Sequence, residues 1–440
     1  MQKVGLCRIL ADGNLLRSNH EGLSLNMPLF TQLFLAALAA SIVMQVWLAR
    51  RHIAHVQVHR NRVPEAFQNE IPLDAHQKAA DYTVTGVRFG LFELLVNTLF
   101  LLAWTLGGGV AWFDEFWGGF GWGPVATGVS VIVSVMLVMG VLEIPLSVWH
   151  TFAIEQRFGF NHSTPRLFFT DLIKQSLLSL ILGTPLVAVA LWLMSASGSL
   201  WWLYLWLVWM SFSLAMMWAY PAFIAPLFNT FKALEDGELV TRICGLLQKC
   251  GFKSQGIFVM DGSRRSGHGN AYFTGLGANK RIVFYDTLVA TLDGAEIEAV
   301  LAHELGHFRL KHVIKRMAMM ALLSLAGLAL LGWLTQQPWF YVGLGVNTPS
   351  HHSALLLFML AAPVFTFLLQ PLMALASRKH EFEADAYAVQ QTDAKALIRA
   401  LVKLYRDNAN TLTPDPLYSA FHDSHPPAPV RIGRLAAKSV

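Results

Sequence analysis

The chain has 440 residues, of which 54% are hydrophobic and only 14% charged. A soluble domain carries about 25% charged residues, so a row of soluble domains is excluded and a polytopic membrane protein remains. The net charge of +5 comes without any nucleic-acid-binding signature, and Cys7, Cys244 and Cys250 form no metal-type pair and no even framework, which excludes a nucleic-acid partner and a disulfide scaffold.

Residues 1–28 carry Lys3, Arg8, Asp12 and Arg17, lack the compact apolar core of a signal peptide, and are expected to be a disordered tail. Met27, just before the first apolar run, is a candidate start. A span needs about 20 apolar residues. The stretches 29–48, 89–112, 125–148, 175–194, 200–220, 317–334 and 354–376 meet that length, which predicts about seven transmembrane helices. The chain then divides into spans one to five (29–220), a non-membrane segment (221–316), spans six and seven (317–376) and a C-terminal segment (377–440). Lys and Arg gather after the first, third and fifth spans, whereas the loops 113–124, 195–199 and 335–353 have none. Every basic loop therefore falls on one side, the cytoplasmic one.

Within 221–316, "GIFVM" (256–260), "NAYFTG" (270–275) and "RIVFYDTLV" (281–289) read as short strands. The last two are joined by a Gly/Asn turn as a hairpin. A helix is predicted to open at Asp293, with Glu296 at the capping-box spacing.

That helix carries His303-Glu304-Leu305-Gly306-His307. Histidines four apart share a helix face one turn apart, where both rings reach one cation. Glu304 stands beside that stripe, placed to take a proton from water rather than to bind metal, and Zn²⁺ is the ion such a pattern implies. "SRKHEFEADAYA" (377–388) follows the seventh span. Spans six and seven must be antiparallel, so His307 and Glu381 emerge at one surface. Glu381 and Asp385 share a helix face, so one can bind the ion while the other orients a histidine.

"HQKAADYT" (76–83), "RFGFNHST" (157–164), "APLFN" (225–229), "NAYFTG", "KRIVFYDTL" (280–288), "HELGH", "EFEAD" and "SHPPAPVRI" (424–432) occur in that order. On these motifs the chain, from about residue 55 to its end, resembles the type I CAAX prenyl protease family. These are integral-membrane zinc metalloproteases related to the a-factor-converting enzyme. The resemblance implies a mainly α membrane protein: seven helices around a water-filled chamber, capped by a zincin-like catalytic domain with a small β-sheet. It implies one Zn²⁺ per chain on His303, His307 and Glu381, with Glu304 as general base. His425 can donate to an oxyanion, and Arg431 can pair with Asp385 and pin its helix. Asn270 and Ala271, on an edge strand beside the zinc, are expected to contact an extended substrate, while neighbouring His268 reads as incidental. Glu93 and Glu143 lie within predicted spans and are expected to face a polar interior.

The function expected is a membrane-embedded zinc endopeptidase acting on membrane-associated or CAAX-type substrates. Its partners would be a peptide or protein substrate, lipidated or not, and membrane lipid. A general quality-control protease independent of prenylation is the alternative within the class. A transporter or channel with structural zinc is the alternative outside it. Composition and short loops point to a bacterial inner membrane, or to the endoplasmic reticulum if the chain is eukaryotic. In either case the catalytic domain faces the cytoplasm.

Overall fold

The computed structural model describes residues 27–437 apart from 236, 253, 255 and 275–280. Seven of its helices are long and apolar enough to cross a membrane: Leu29–His59, Leu73–Trp104, Pro124–Phe158, Pro165–Ala196, Gly198–Phe228, His312–Leu334 and His351–Gln391. One lies over each predicted span. All exceed the ~20 residues a bilayer requires, because several turns continue out of the apolar region toward the basic loops. The second span ends sooner than expected, at Trp104 rather than residue 112. Gly108 sits at φ +79°, a left-handed conformation open to glycine at no steric cost. The chain reverses there, and Trp112 belongs to a separate short helix, Gly109–Gly118.

Each span packs on a neighbour in the chain, and the seventh returns to the first, closing a ring. Buried packing gathers mainly in two layers, with two smaller clusters, one including Phe89 and Leu146 and one including Val56 and Val84, joining the first three spans near their basic ends. One apolar cluster, including Phe34, Trp104, Val131, Leu191, Leu205 and Leu357, joins the ends of the spans opposite the basic loops. A second, including Phe67, Ile243, Phe284, Leu301, Leu397 and Ile432, is the core of the domain at the other end. Between them the helices bury little. No fifth-span residue between Leu205 and Ile224 is buried, and no sixth-span residue between His312 and Leu331. Each of those gaps is roughly 27 Å of helix. A helix that buries neither face over that length has lipid on one side and open space on the other, so the ring surrounds a chamber. Glu93 is half-buried and Glu143 exposed.

The third and fifth spans end in π-helical turns, His150–Glu155 and Tyr220–Ile224. Beyond the fifth lies a mixed sheet of order β1-β2-β4-β3, with β1 Phe231–Ala233, β2 Ile257–Met260, β3 Ala271–Thr274 and β4 Arg281–Tyr285. β3 and β4 pair antiparallel, as expected of a hairpin whose turn lies outside the described residues. β1, missed in the sequence, adds antiparallel to β2, and β2 runs parallel to β4. β4 is shorter than the stretch 281–289. Asp286 turns the chain into a short helix, Asp286–Thr291, its carboxylate accepting from the Thr287 N–H at 2.9 Å and the Ser263 N–H at 2.8 Å.

Candidate metal centre and substrate cleft

The histidine helix, Gly294–Arg309, opens with the expected capping box. Asp293 accepts from the Glu296 N–H at 2.9 Å, and Glu296 accepts from the Asp293 N–H at 2.9 Å. Glu296 is buried and also takes Lys403 at 2.7 Å, which ties the start of this helix to Ala394–Asp407.

The glutamate helix, Gln370–Gln391, continues the seventh span past its apolar stretch. It lies so close to the histidine helix that a Cβ on Gly306 would meet the Ala384 Cα at 3.0 Å. Only a glycine facing an alanine lets the two backbones approach this far, and the approach brings a short carboxylate within reach of two imidazoles. Nε2 of His303 and Nε2 of His307 stand 3.2 Å apart. Glu381 Oε2 is 3.4 Å from the first and Glu381 Oε1 is 3.3 Å from the second. Ligands of a tetrahedral ion bonded at about 2.0–2.2 Å are separated by about 3.3–3.6 Å, so this triangle has the size a zinc ion requires. The donor chemistry fits as well. Two imidazole nitrogens and a carboxylate converge on one point, and buried Glu381 Oε2 makes no hydrogen bond of good geometry. Burial opposes charge on His303, yet Asp385 and Glu381 outweigh it and lift its pKa to about 9, so the site is arranged around positive charge.

Nδ1–H of His303 donates to Asp385 Oδ1 at 2.9 Å. Arg431 grips the same carboxylate with Nη2 at 2.6 Å and Nε at 2.9 Å, and both partners are buried. His425 places Nδ1 2.8 Å from Glu381 Oε2, so it stands against the carboxylate of the triangle, with Nε2 as its other ring nitrogen. Glu304 is half-buried, lines the cavity, and makes no hydrogen bond or ion pair among the described residues.

The cavity holds about 560 Å³ and joins His303, Glu304, Glu381 and His425 to Asn270 and Ala271. β3 forms one edge of the sheet. The Tyr285 N–H donates to the Asn270 carbonyl at 2.9 Å, so in this antiparallel ladder Ala271 turns its own N–H and C=O to the free side. That N–H is held by Asn270 Oδ1 at 2.8 Å. A second cavity of about 510 Å³ shares Tyr405, Asn410 and His425 with the first and runs on to Tyr82 and His150 of the spans.

The chain matches the family described as CAAX prenyl protease N-terminal, five membrane helices, over residues 52–230, and Peptidase family M48 over residues 233–439. The Arabidopsis thaliana CAAX prenyl protease 1 homolog is 36% identical over 381 residues, covering 84% of this chain and 89% of that protein. CAAX prenyl protease 1 of Saccharomyces cerevisiae is 32% identical over 419 residues, covering 86% and 89%. The crystal structure of S. mikatae Ste24p superposes with a TM-score of 0.84 at 30% identity, covering 92% of this chain and 98% of that one. The chain belongs to the CAAX prenyl protease family. It is a multi-pass membrane metallopeptidase whose substrate is a peptide or protein, and the transporter and channel readings are set aside. These relatives are eukaryotic and lend the bacterial inner membrane no support.

For a CAAX prenyl protease family chain, the sequence underrated one residue. His268 is not incidental: it stacks on Phe160 at 4.3 Å and lies 3.5 Å from Glu155, on the π-helical turn, which also accepts from the Tyr82 hydroxyl at 2.6 Å. With Asn408 holding the Gly269 N–H at 3.0 Å, this group anchors the start of the edge strand to the membrane helices. The signal was available in part, because Phe160 lies within "RFGFNHST" and Glu155 just before it. That motif docks on the catalytic domain through His162, whose Nδ1 bonds the Ser263 carbonyl at 2.8 Å.

Proposed function

We propose that the protein is a zinc endopeptidase of the cytoplasmic membrane face that cuts CAAX-type substrates, holding one Zn²⁺ through His303, His307 and Glu381. The observation that carries this reading is the triangle of ligand atoms, all within 4.8 Å of one another, opening into the cleft beside β3. When bound, the ion supplies Lewis acidity and lowers the pKa of a water to about 7. The free carboxylate of Glu304 takes the proton of the attacking water and delivers it to the leaving amine. His425 donates from Nε2 to the oxygen that gains charge as the peptide carbon becomes tetrahedral. Asp385 and Arg431 fix the tautomer and direction of His303. Asn270 and Ala271 align the peptide: a substrate carbonyl takes the Ala271 N–H now held by the Asn270 side chain, and main-chain pairing extends the sheet. The second cavity leads from the cleft to the chamber, which gives a lipid-modified segment a route that never crosses bulk water.

The test is cleavage of prenylated and plain CAAX peptides by purified protein, with chelator and after zinc return. Metal analysis of Glu381→Ala accompanies it. Cleavage abolished by chelator, restored by zinc and faster on the prenylated peptide is expected, with zinc lost in Glu381→Ala. Equal rates on prenylated, plain and unrelated membrane peptides would favour a general quality-control protease.

A further inference from the structure

The cluster of His312, His380 and Glu383 lies beside the triangle and gathers potential ligand atoms within 4.8 Å, so it has the composition of a second cation site. Its geometry argues otherwise. The rings of His312 and His380 stack at 4.1 Å and 14°, and nitrogen lone pairs in two parallel stacked planes do not converge on one ion. Nδ1 of His312 instead lies 3.0 Å from Nδ1 of His307, and Nε2 of His312 lies 2.9 Å from Glu383 Oε2.

If Nε2 of His307 faces a metal, its Nδ1 carries the hydrogen. Only one assignment of protons then satisfies the row. His307 Nδ1–H donates to His312 Nδ1, and His312 Nε2–H donates to Glu383. A cation on His312 Nε2 would put a hydrogen on its Nδ1 and set two N–H groups face to face, so the second ion and this row exclude each other. The backbone is bent to make the row. Lys311, between the histidine helix and the sixth span, sits at φ +59°, a conformation that costs a side-chain-bearing residue about 1 kcal/mol or more and persists only where its surroundings hold it. That bend folds buried His312 back over His307.

We infer that His312 and Glu383 are positioning residues that fix the tautomer and direction of His307, as Asp385 and Arg431 do for His303. The glutamate helix would then serve both histidines: Glu381 completes the triangle, Asp385 orients one ring, and Glu383 orients the other through His312. The inference rests on the zinc site proposed above.

The test is zinc affinity, measured by chelator competition on the full-length protein, for His312→Phe, Glu383→Ala and Glu383→Gln. The phenyl ring keeps the volume and the stack on His380 but accepts nothing. It should weaken zinc binding about 10–100-fold, the usual effect of losing such a partner. Glu383→Ala should weaken it in the same direction, and Glu383→Gln, which still accepts from Nε2–H, should restore most of the affinity. Thermal midpoints at saturating zinc should stay near wild type. Wild-type affinity in both His312→Phe and Glu383→Ala would overturn the inference, as would two zinc ions per wild-type chain of which Glu383→Ala loses one. A wild-type chain that binds no zinc would overturn the metal reading itself. If His312→Phe does not fold, the two Glu383 variants decide alone.

Discussion

Arg431→Met tests how the centre is held. The guanidinium and the carboxylate of Asp385 keep only 8% and 6% of their side-chain surface exposed. That places them apart from a surface pair such as Arg242–Glu238, exposed by 39% and 87% and worth about 0–1 kcal/mol at most. Taking Arg431 away leaves a buried carboxylate whose one remaining donor is His303, a loss of about 3–5 kcal/mol. At about 2–4 °C per kcal/mol for a domain of this size, the thermal midpoint should fall by about 6–20 °C. The assay is fluorescence-monitored unfolding at saturating zinc, so that lost metal does not add to the shift. Asp385→Asn in the Arg431→Met background removes the stranded charge while its amide oxygen still accepts from His303. The double variant should therefore be more stable than the two single losses sum to, by about 0.5–3 kcal/mol. Arg431→Lys, with charge but no fork, should fall between. A midpoint within about 2 °C of wild type for Arg431→Met, or strict additivity in the cycle, would refute the view that this pair holds the histidine.

Glu304→Gln should lose nearly all peptidase activity, at least the roughly 10²–10⁴-fold of a general base, with zinc content and thermal midpoint unchanged; wild-type turnover at full metal loading would exclude it as the base. His425→Ala should cost about 10²–10³-fold in kcat, and a change confined to KM would assign it to substrate binding instead. Arg264 and Thr348 are both exposed and lie at opposite ends of the spans, so cysteines placed there should label from opposite faces of sealed vesicles; labelling from one face would sink the orientation. Asp293→Ala should destabilise the protein by about 0.5–2 kcal/mol in urea or thermal unfolding. The Glu296 N–H holds the Asp293 pKa below its usual value, so this contribution is present at neutral pH and lost as pH falls through that depressed pKa.

What could be read in advance was what depends on local pattern. Apolar runs marked the spans, Asp293 with Glu296 marked a helix start, and "HELGH" with "EFEAD" marked side chains that meet at one surface, because each is a spacing along a helix. What escaped depends on neighbours remote in the chain. The β-branched and aromatic residues of 281–289 carry the same strand signal throughout, and only Asp286, capped by the Ser263 N–H, ends the strand early. β1 has three residues and forms because β2 offers an open edge. The second span's apolar run continues through Gly107–Gly109, where the backbone nonetheless reverses. His312 lies outside the predicted sixth span (317–334) with nothing local to mark it, and its row to Glu383 exists only because Lys311 bends the chain. His268 looked isolated for the same reason, since Glu155 and Phe160 precede it by more than a hundred residues.

The chamber lies between one packed layer at the far ends of the spans and another at the catalytic domain. Shortening a leucine in a close-packed interior costs about 2–5 kcal/mol, much of it for the void left behind. Along the middle stretches of the fifth and sixth spans, between Leu205 and Ile224 and between His312 and Leu331, the helices touch, as where Trp206 donates to the Ala321 carbonyl at 3.0 Å, but no side chain is fully buried, so a shortened one leaves little closed void. Mutational tolerance along these helices should therefore follow depth: strict at both ends, permissive between. Divergence could then reshape the wall of the chamber, and with it the range of chains that fit inside, without disturbing the zinc-bearing end.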